Sequence, residues 1–436
     1  MLATAAATVP LPQQFVLANG IRLLVYENPT NDIIAARCFL GAGSTQEPTC
    51  QSGLLNLLAT VLTKGTSRLS SIEIAEIVES RGASLGTDVS TDYFLLSLKT
   101  VSEDFAELLT LSAELLREPT FPEVEVALEK QLLLQAIRNQ QEQPTNVAYD
   151  LLRRSLYGSH PYAFDSLGRL ETVSQLTSAD LQAAHQRFFR PDQLVISIAG
   201  NLDAQQAVSR VEAAFGDWYA TGSRPEDLDL PPVQLGPAFS SQARETQQIM
   251  LMLGYPTVPV TDPDYAALKL ASTYLGNGMS SRLFVELREK QGLAYDTSAF
   301  FPTRLGPAPF VAYIGTAPDN AHQALAGLLG EVERLSQDRL TPEELQTSQN
   351  KLLGQYALSK QTNAQVAQIF GWYEILGLGA TFDLDFQRAI AAVTVEDIRR
   401  AAQRFLQRPH ITAVGPVEAL QQAQQVAGSA AVGHVS

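Results

Sequence analysis

A stretch near the middle of the chain returns close to its end. LTSADLQAAHQRFFRPDQLVISIAGNL, finishing at Leu202, reappears as VTVEDIRRAAQRFLQRPHITAVG, finishing at Gly415. Thr177, Asp180, Arg187 and Phe188 pair with Thr394, Asp397, Arg404 and Phe405 at a constant offset of 217. FPEVEVALEKQLLLQ likewise matches TPEELQTSQNKLLGQ, with Pro122 and Pro342 in step at an offset of 220. Two long-range matches at nearly one offset mark an internal duplication. The chain must therefore fold as two copies of one plan.

A length of 436 residues also exceeds what a single hydrophobic core usually organises. The copies occupy 1–220 and 244–436, and the linker 221–243 carries Pro225, Pro231, Pro232 and Pro237 with Glu226, Asp227 and Asp229. That composition suits an extended connector.

Each copy mixes strand and helix signals, giving an α+β class in which an antiparallel-rich sheet packs with helices. Residues 14–28, QFVLANGIRLLVYEN, alternate into two strands around Asn19-Gly20, a type I′ hairpin signal. Ile33 to Leu40 is a further apolar strand, and ASLGTDVSTDYFLLSLKT reads as two more. Helices are expected over 70–81, with Gly82 as the stop, then over 103–117 and 122–143, with a restart at Pro144. A Ser/Thr-capped helix, a Pro-containing turn and a buried strand close the first copy.

GLLNLLATVLTKGT, residues 53–66, carries the chemical question. Leu54, Leu57, Leu58 and Val61 form one apolar stripe, while Asn56, Ala59, Thr60 and Thr63 fill a second face. That second face resembles the zinc helix of the insulinase/pitrilysin-like (inverzincin) metallopeptidases, in which His-x-x-Glu-His supplies two ligands and a general base. Asn56 and Thr60 stand where the resemblance puts the histidines, Ala59 where it puts the glutamate, and Ala136 where it puts the third ligand. An amide and a hydroxyl are weak neutral ligands for zinc, and a methyl group takes no proton from water. Losing a general base costs about 10²–10⁴ in rate.

The resemblance runs over nearly the whole chain. FVLANGIRLLVYEN is similar to the family's opening hairpin, GSTQEP to the loop before its zinc helix, and SLYGSHPYAFDSLGRLETVSQLTSADL to the close of its first domain. The similarity is strongest to the branch of short two-domain subunits that pair up, as in mitochondrial processing peptidase and its bacterial relatives. It implies that the chain forms half of a clamshell chamber.

In the second copy, LGNGMSSRLFVELREKQGLAYDTS resembles the family segment whose arginine and tyrosine, seven residues apart, hold the substrate backbone. Here they are Arg288 and Tyr295. The spacing places Arg288 in the last turn of a helix beginning near Ser281, Gly292 at its stop and Tyr295 at the start of a strand. A guanidinium and a phenol can both donate hydrogen bonds to a peptide carbonyl or to developing oxyanion charge. Gly276-Asn277-Gly278 reads as a short turn at the position of the longer glycine-rich loop of the non-catalytic processing-peptidase subunit.

The rest of the sequence offers no second catalytic machine. His160, His185, His322, His410 and His434 never recur at metal-ligand spacing. His185 reads as structural or surface, Cys38 as a buried small hydrophobe, and two cysteines suit a reducing cytoplasm. A net charge of −15 disfavours nucleic acid, no apolar run spans a membrane, and the Ala-rich start lacks the basic n-region of a secretory signal.

A non-catalytic, substrate-binding subunit of a heterodimeric zinc metallopeptidase is therefore expected. This chain would bind no metal and would donate Arg288 and Tyr295, while a partner with His-x-x-Glu-His supplies zinc, base and water to a peptide substrate. A homodimer is open to the chain when that partner is missing. The alternative is a peptide-binding or scaffolding homologue with no peptidase role.

Overall fold

The computed structural model describes residues 10–222, 231–236, 238–338 and 340–433. The Ala-rich start, His434 and the linker residues Pro225, Glu226, Asp227, Asp229 and Pro237 lie outside them. The strands are β1 (Gln13–Val16), β2 (Arg22–Glu27), β3 (Ile33–Leu40), β4 (Ser84–Val89), β5 (Phe94–Val101), β6 (Leu194–Gly200), β7 (Phe239–Ala243), β8 (Ile249–Pro256), β9 (Asp296–Phe300), β10 (Pro309–Thr316) and β11 (His410–Gly415).

They form two sheets of one design. The first runs β1-β2-β6-β3-β5-β4 and the second β7-β11-β8-β10-β9. In each, the last strand of its copy slots between two early strands, parallel to one and antiparallel to the other. The duplicated sequence thus becomes a duplicated topology. Its local chemistry repeats as well: Thr177 and Asp180 form a capping box, as do Thr394 and Asp397. The Arg187 guanidinium lies 4.9 Å over the Phe188 ring and that of Arg404 lies 4.7 Å over Phe405.

The chain divides into two compact units. One comprises Met1–Arg138, Asp165–Asp229 and Tyr356–Leu384; the other comprises Asn139–Phe164, Leu230–Gln355 and Asp385–Ser436. Each copy of the repeat therefore gives a helical segment to the unit built mainly from the other.

In the first unit, strand alternation sorts β3 between two faces. Ile34, Ala36, Cys38 and Leu40 join Leu54, Leu57, Leu58 and Val61 of the helix Leu54–Leu62 in the main core. Ala35 and Phe39 turn to the opposite face and meet Val366, Ala367, Phe370 and Tyr373 from the helix Asn363–Ile375. Burying one such large side chain contributes about 1.5–3 kcal/mol, so the late helix is an energetic part of this unit.

In the second unit the helix Pro144–Tyr157 plays the corresponding part. Val147, Ala148, Leu152 and Leu156 pack with Met250, Met252, Val311 and Val414. The Thr412 hydroxyl donates to the Ala148 carbonyl at 3.0 Å, and Ser155 Oγ lies 2.9 Å from His410 Nδ1.

Local expectations and local structure differ at the first hairpin. β1 and β2 pair antiparallel, but only Gly20 has a positive φ, +89°, so the turn is not type I′, which needs two such residues. Asn19 keeps a negative φ because its buried amide donates to the Phe215 and Trp218 carbonyls at 2.8 and 3.0 Å.

Candidate functional site

The helix Leu54–Leu62 starts at Gly53, whose φ of +95° belongs to the left-handed region. A side chain at that position would also approach Leu167 O and Val173 Cγ2 at 2.7 Å. Glycine has no side chain with which to cap the helix, and Glu47 does so instead. Its carboxylate accepts from the Leu55 N–H at 2.6 Å and from the Gly53 N–H at 2.9 Å. Glu47 is only 7 % exposed. Burial pushes its carboxyl up to about 8, against the pull of the two N–H donors. The sequence signal for this cap was an acid shortly before a helix whose N-terminal residue has no oxygen to offer.

The face proposed for metal holds none of the needed donors. Asn56 and Thr60 are half-buried and Ala59 is buried. The Thr60 hydroxyl is occupied by the Leu57 carbonyl at 3.0 Å, one turn back. Thr87 on the edge strand β4 donates to the Ala59 carbonyl at 2.7 Å and ties that strand to the helix. Ala136 is exposed on the long helix Glu123–Glu142. Glu129, seven residues earlier, pairs with Lys64 at 2.8 Å. Among the described residues, no group of three or more His, Cys, Asp or Glu is placed to hold a metal ion. An amide, a hydroxyl and two methyl groups do not fit zinc, and no step is routed through it in this chain.

His185, His160 and Cys38 have structural surroundings. His185 Nε2 lies 2.9 Å from the Leu116 carbonyl, and burial lowers its pKa. The buried His160 accepts the Tyr162 N–H through Nδ1 at 3.1 Å and sits among Tyr157 and Tyr162. Cys38 is buried and its thiol is pushed up to about 12, so it packs as a small hydrophobe. Cys50 is exposed.

In the second unit, the segment expected to be an ordinary helix widens. Phe284–Lys290 winds as a π-helix, a form that recurs at functional sites. It stops at Gly292, and Tyr295 follows with its N–H on the Gly315 carbonyl at 2.9 Å, one residue ahead of β9. Arg288 is exposed and its guanidinium lies 4.9 Å from the Phe284 ring centre. The nearby acid Glu286 is taken by Lys290 at 2.9 Å, and Arg288 makes no ion pair among the described residues. Tyr295 is 59 % exposed. Both side chains are therefore open to a ligand rather than spent on core or charge pairing.

Gly276-Asn277-Gly278 is a short turn held from the helix Pro342–Leu358. Lys351 donates to the Asn277 carbonyl, and the Asn277 and Gln355 amides bond each other at 2.6 and 3.2 Å. A pocket of about 280 Å³ lies beside it, lined by Tyr274, Ser281, Arg282, Glu286, Glu344 and Lys351. Arg282 there is neutralised by Glu331 at 2.6 Å.

Two family models match this chain in tandem: insulinase (peptidase family M16) over residues 22–168 and the peptidase M16 inactive domain over residues 175–352. The chain belongs to the insulinase family. It is similar to an uncharacterized zinc protease of Bacillus subtilis, 27 % identical over 92 % of this chain and 97 % of that protein. An uncharacterized zinc protease of Streptomyces coelicolor is 26 % identical over 92 % of this chain and 89 % of its own length. The crystal structure of a peptidase M16 inactive domain from Pseudomonas fluorescens matches with a TM-score of 0.84 and 27 % identity, covering 93 % of this chain and 98 % of that one. A protease from Helicobacter pylori shares the fold, with a TM-score of 0.84 at 21 % identity. With two M16 domains in tandem, this chain is a peptidase homologue whose second matched segment is described as the inactive domain. No helix among the described residues is long and apolar enough to cross a membrane.

Proposed function

We propose that this chain is the substrate-binding subunit of a heterodimeric zinc metallopeptidase of the processing-peptidase type. The observation that carries the reading is a contrast within one chain. Asn56, Ala59, Thr60 and Ala136 leave the first domain without ligands or base, while Arg288 and Tyr295 in the second domain are exposed and form no ion pair among the described residues.

In this reading a separate subunit carries His-x-x-Glu-His and the zinc. Arg288 and Tyr295 donate hydrogen bonds to the peptide carbonyl and to the charge that develops on it. Removing one such donor costs about 10²–10³ in rate in other enzymes. Two unpaired cysteines suit action in a reducing cytoplasm.

The test is to purify the tagged chain from its own cells, identify stoichiometric partners, and assay zinc and peptide cleavage of the complex with Arg288→Ala and Tyr295→Phe. A partner with His-x-x-Glu-His, one zinc per pair and loss of cleavage in both variants is the expected result. Unchanged cleavage in both variants overturns the assigned roles. A metal-free homodimer, or a complex without a peptidase, puts the scaffold reading first.

A further inference from the structure

In the first unit the sheet face that receives the helix Asn363–Ile375 is not evenly covered. That helix packs on Phe39 and Ser197, leaving the β5 and β4 side more open. The strand registers define what lies there. Arg37 on β3 stands opposite Ser97 on β5, which stands opposite Gly86 on β4. The neighbouring row is Ala35, Lys99 and Ser84. Two cations thus rise diagonally from a floor of small residues, with Cβ atoms about 7 Å apart.

Neither cation has an acid. Arg37 is half-buried, and its guanidinium donates to the Ala36 and Leu98 carbonyls at 3.1 and 3.2 Å. Lys99 is exposed, and neither residue forms an ion pair among the described residues. Elsewhere in this unit Arg22, Lys64, Arg81 and Arg117 each meet a carboxylate. The chain has 46 acids against 31 bases, so partners were not scarce. Asp88 shares the face but stands beyond Leu95, two strands and one row from Arg37, about 12 Å away by strand spacing. A guanidinium drawn out of water without a counter-charge is costly unless something else supplies one.

The approach to Arg37 has a direction. Ser84 at the sheet edge is exposed, Gly86 and Ser97 are half-buried, and beyond Arg37 the helix Asn363–Ile375 stands over Ser197. The lane from β4 to β3 is about 10 Å long, the span of roughly three extended residues. It ends at a wall. We infer that Arg37, Ser97 and Lys99 form a subsite for the C-terminal carboxylate of a peptide, entering over β4 and stopping at the guanidinium. A dead end suits a terminus better than an acidic side chain in a continuing chain. Arg37 would pair with the carboxylate oxygens while Lys99 adds charge from the side and the Ser97 hydroxyl donates a hydrogen bond. The inference rests on the reading of the chain as a peptide binder.

The experiment uses the full chain and a short fluorescent peptide in two forms, one with a free C-terminal carboxylate and one C-terminally amidated. A net charge of −15 repels carboxylates in general, so a preference for the free acid must arise locally. The expected result is at least about tenfold tighter binding of the free acid, lost in Arg37→Gln and in Lys99→Gln with amide binding unchanged. Because Lys99 is exposed, its variant reads out binding without disturbing the fold. Equal binding of acid and amide overturns the inference and leaves peptide binding standing. Recovery of tight binding by an amidated peptide with an internal glutamate also overturns it. Failure of both forms to bind removes the inference together with the reading beneath it.

Discussion

The carboxylate of Glu47 accepts the backbone N–H of Gly53 at 2.9 Å and, through its other oxygen, that of Leu55 at 2.6 Å. A buried acid thus caps the helix that the sequence resemblance sets beside the family's zinc helix. Burial raises its folded pKa to about 8, above its ordinary value of 4.5. Between those values the folded state holds a proton that the unfolded state releases. Its contribution is full below about pH 4.5 and declines as pH rises through about 8. Thermal melts across that window should show the native chain losing stability with rising pH, and Glu47→Gln should flatten the component. Glu47→Ala, which strands two buried N–H groups, should cost about 1–3 kcal/mol below about pH 4.5, where the native contribution is full, and less as pH rises through about 8.

A second buried acid is paired instead with a cation. Asp383 accepts Lys360 Nζ at 2.8 and 3.1 Å and the Tyr356 hydroxyl at 2.5 Å, and the Lys360 and Asp383 side chains are 5 % and 0 % exposed. Asp383→Asn leaves the ammonium buried without its counter-charge and should destabilise by about 3–5 kcal/mol in urea unfolding. Replacing both residues, Lys360→Met with Asp383→Leu, should recover more than half of that loss.

Arg288→Ala and Tyr295→Phe separate binding from folding. Both side chains are exposed, so each variant should stay within about 0.5 kcal/mol of the native stability. In the assembled peptidase each should lower cleavage by about 10² or more. A loss of cleavage matched by a loss of stability would assign both residues to packing.

The positions that the resemblance assigns to metal ligands can be given donors. Asn56→His with Thr60→His places two imidazoles four residues apart on one half-buried helix face. Zinc titration calorimetry should detect uptake by this variant and none by the native chain. Adding Ala136→Glu should tighten it by at least about tenfold. No uptake would mean that Asn56 and Thr60 do not occupy the ligand geometry that the sequence resemblance gives them.

Much of this was legible before folding because it is local or combinatorial. The capping boxes of Thr177 with Asp180 and Thr394 with Asp397 join residues three apart, and the structure forms both. The strand Ile33–Leu40 has the expected bounds because its run is apolar apart from Arg37 and is flanked by Asn31-Asp32 and Gly41. The type I′ reading of Asn19-Gly20 went wrong for a non-local reason, since Asn19 is held by carbonyls nearly two hundred residues away.

The sequence by itself determined the duplication, the α+β class, and the amide, hydroxyl and methyl groups at Asn56, Thr60, Ala59 and Ala136, where the resemblance expects ligands and a base. Identity and offset are properties of order along the chain, and no packing can supply an imidazole where an amide stands. Only the tertiary structure decided that Asn363–Ile375 completes the first unit and Pro144–Tyr157 the second. It alone placed Arg37 beside Lys99 without an acid and widened Phe284–Lys290 into a π-helix. Periodicity tells which way a side chain points from its own strand or helix. Which element lies across from it depends on how all the buried surfaces are matched at once, and no local stretch of sequence contains that balance.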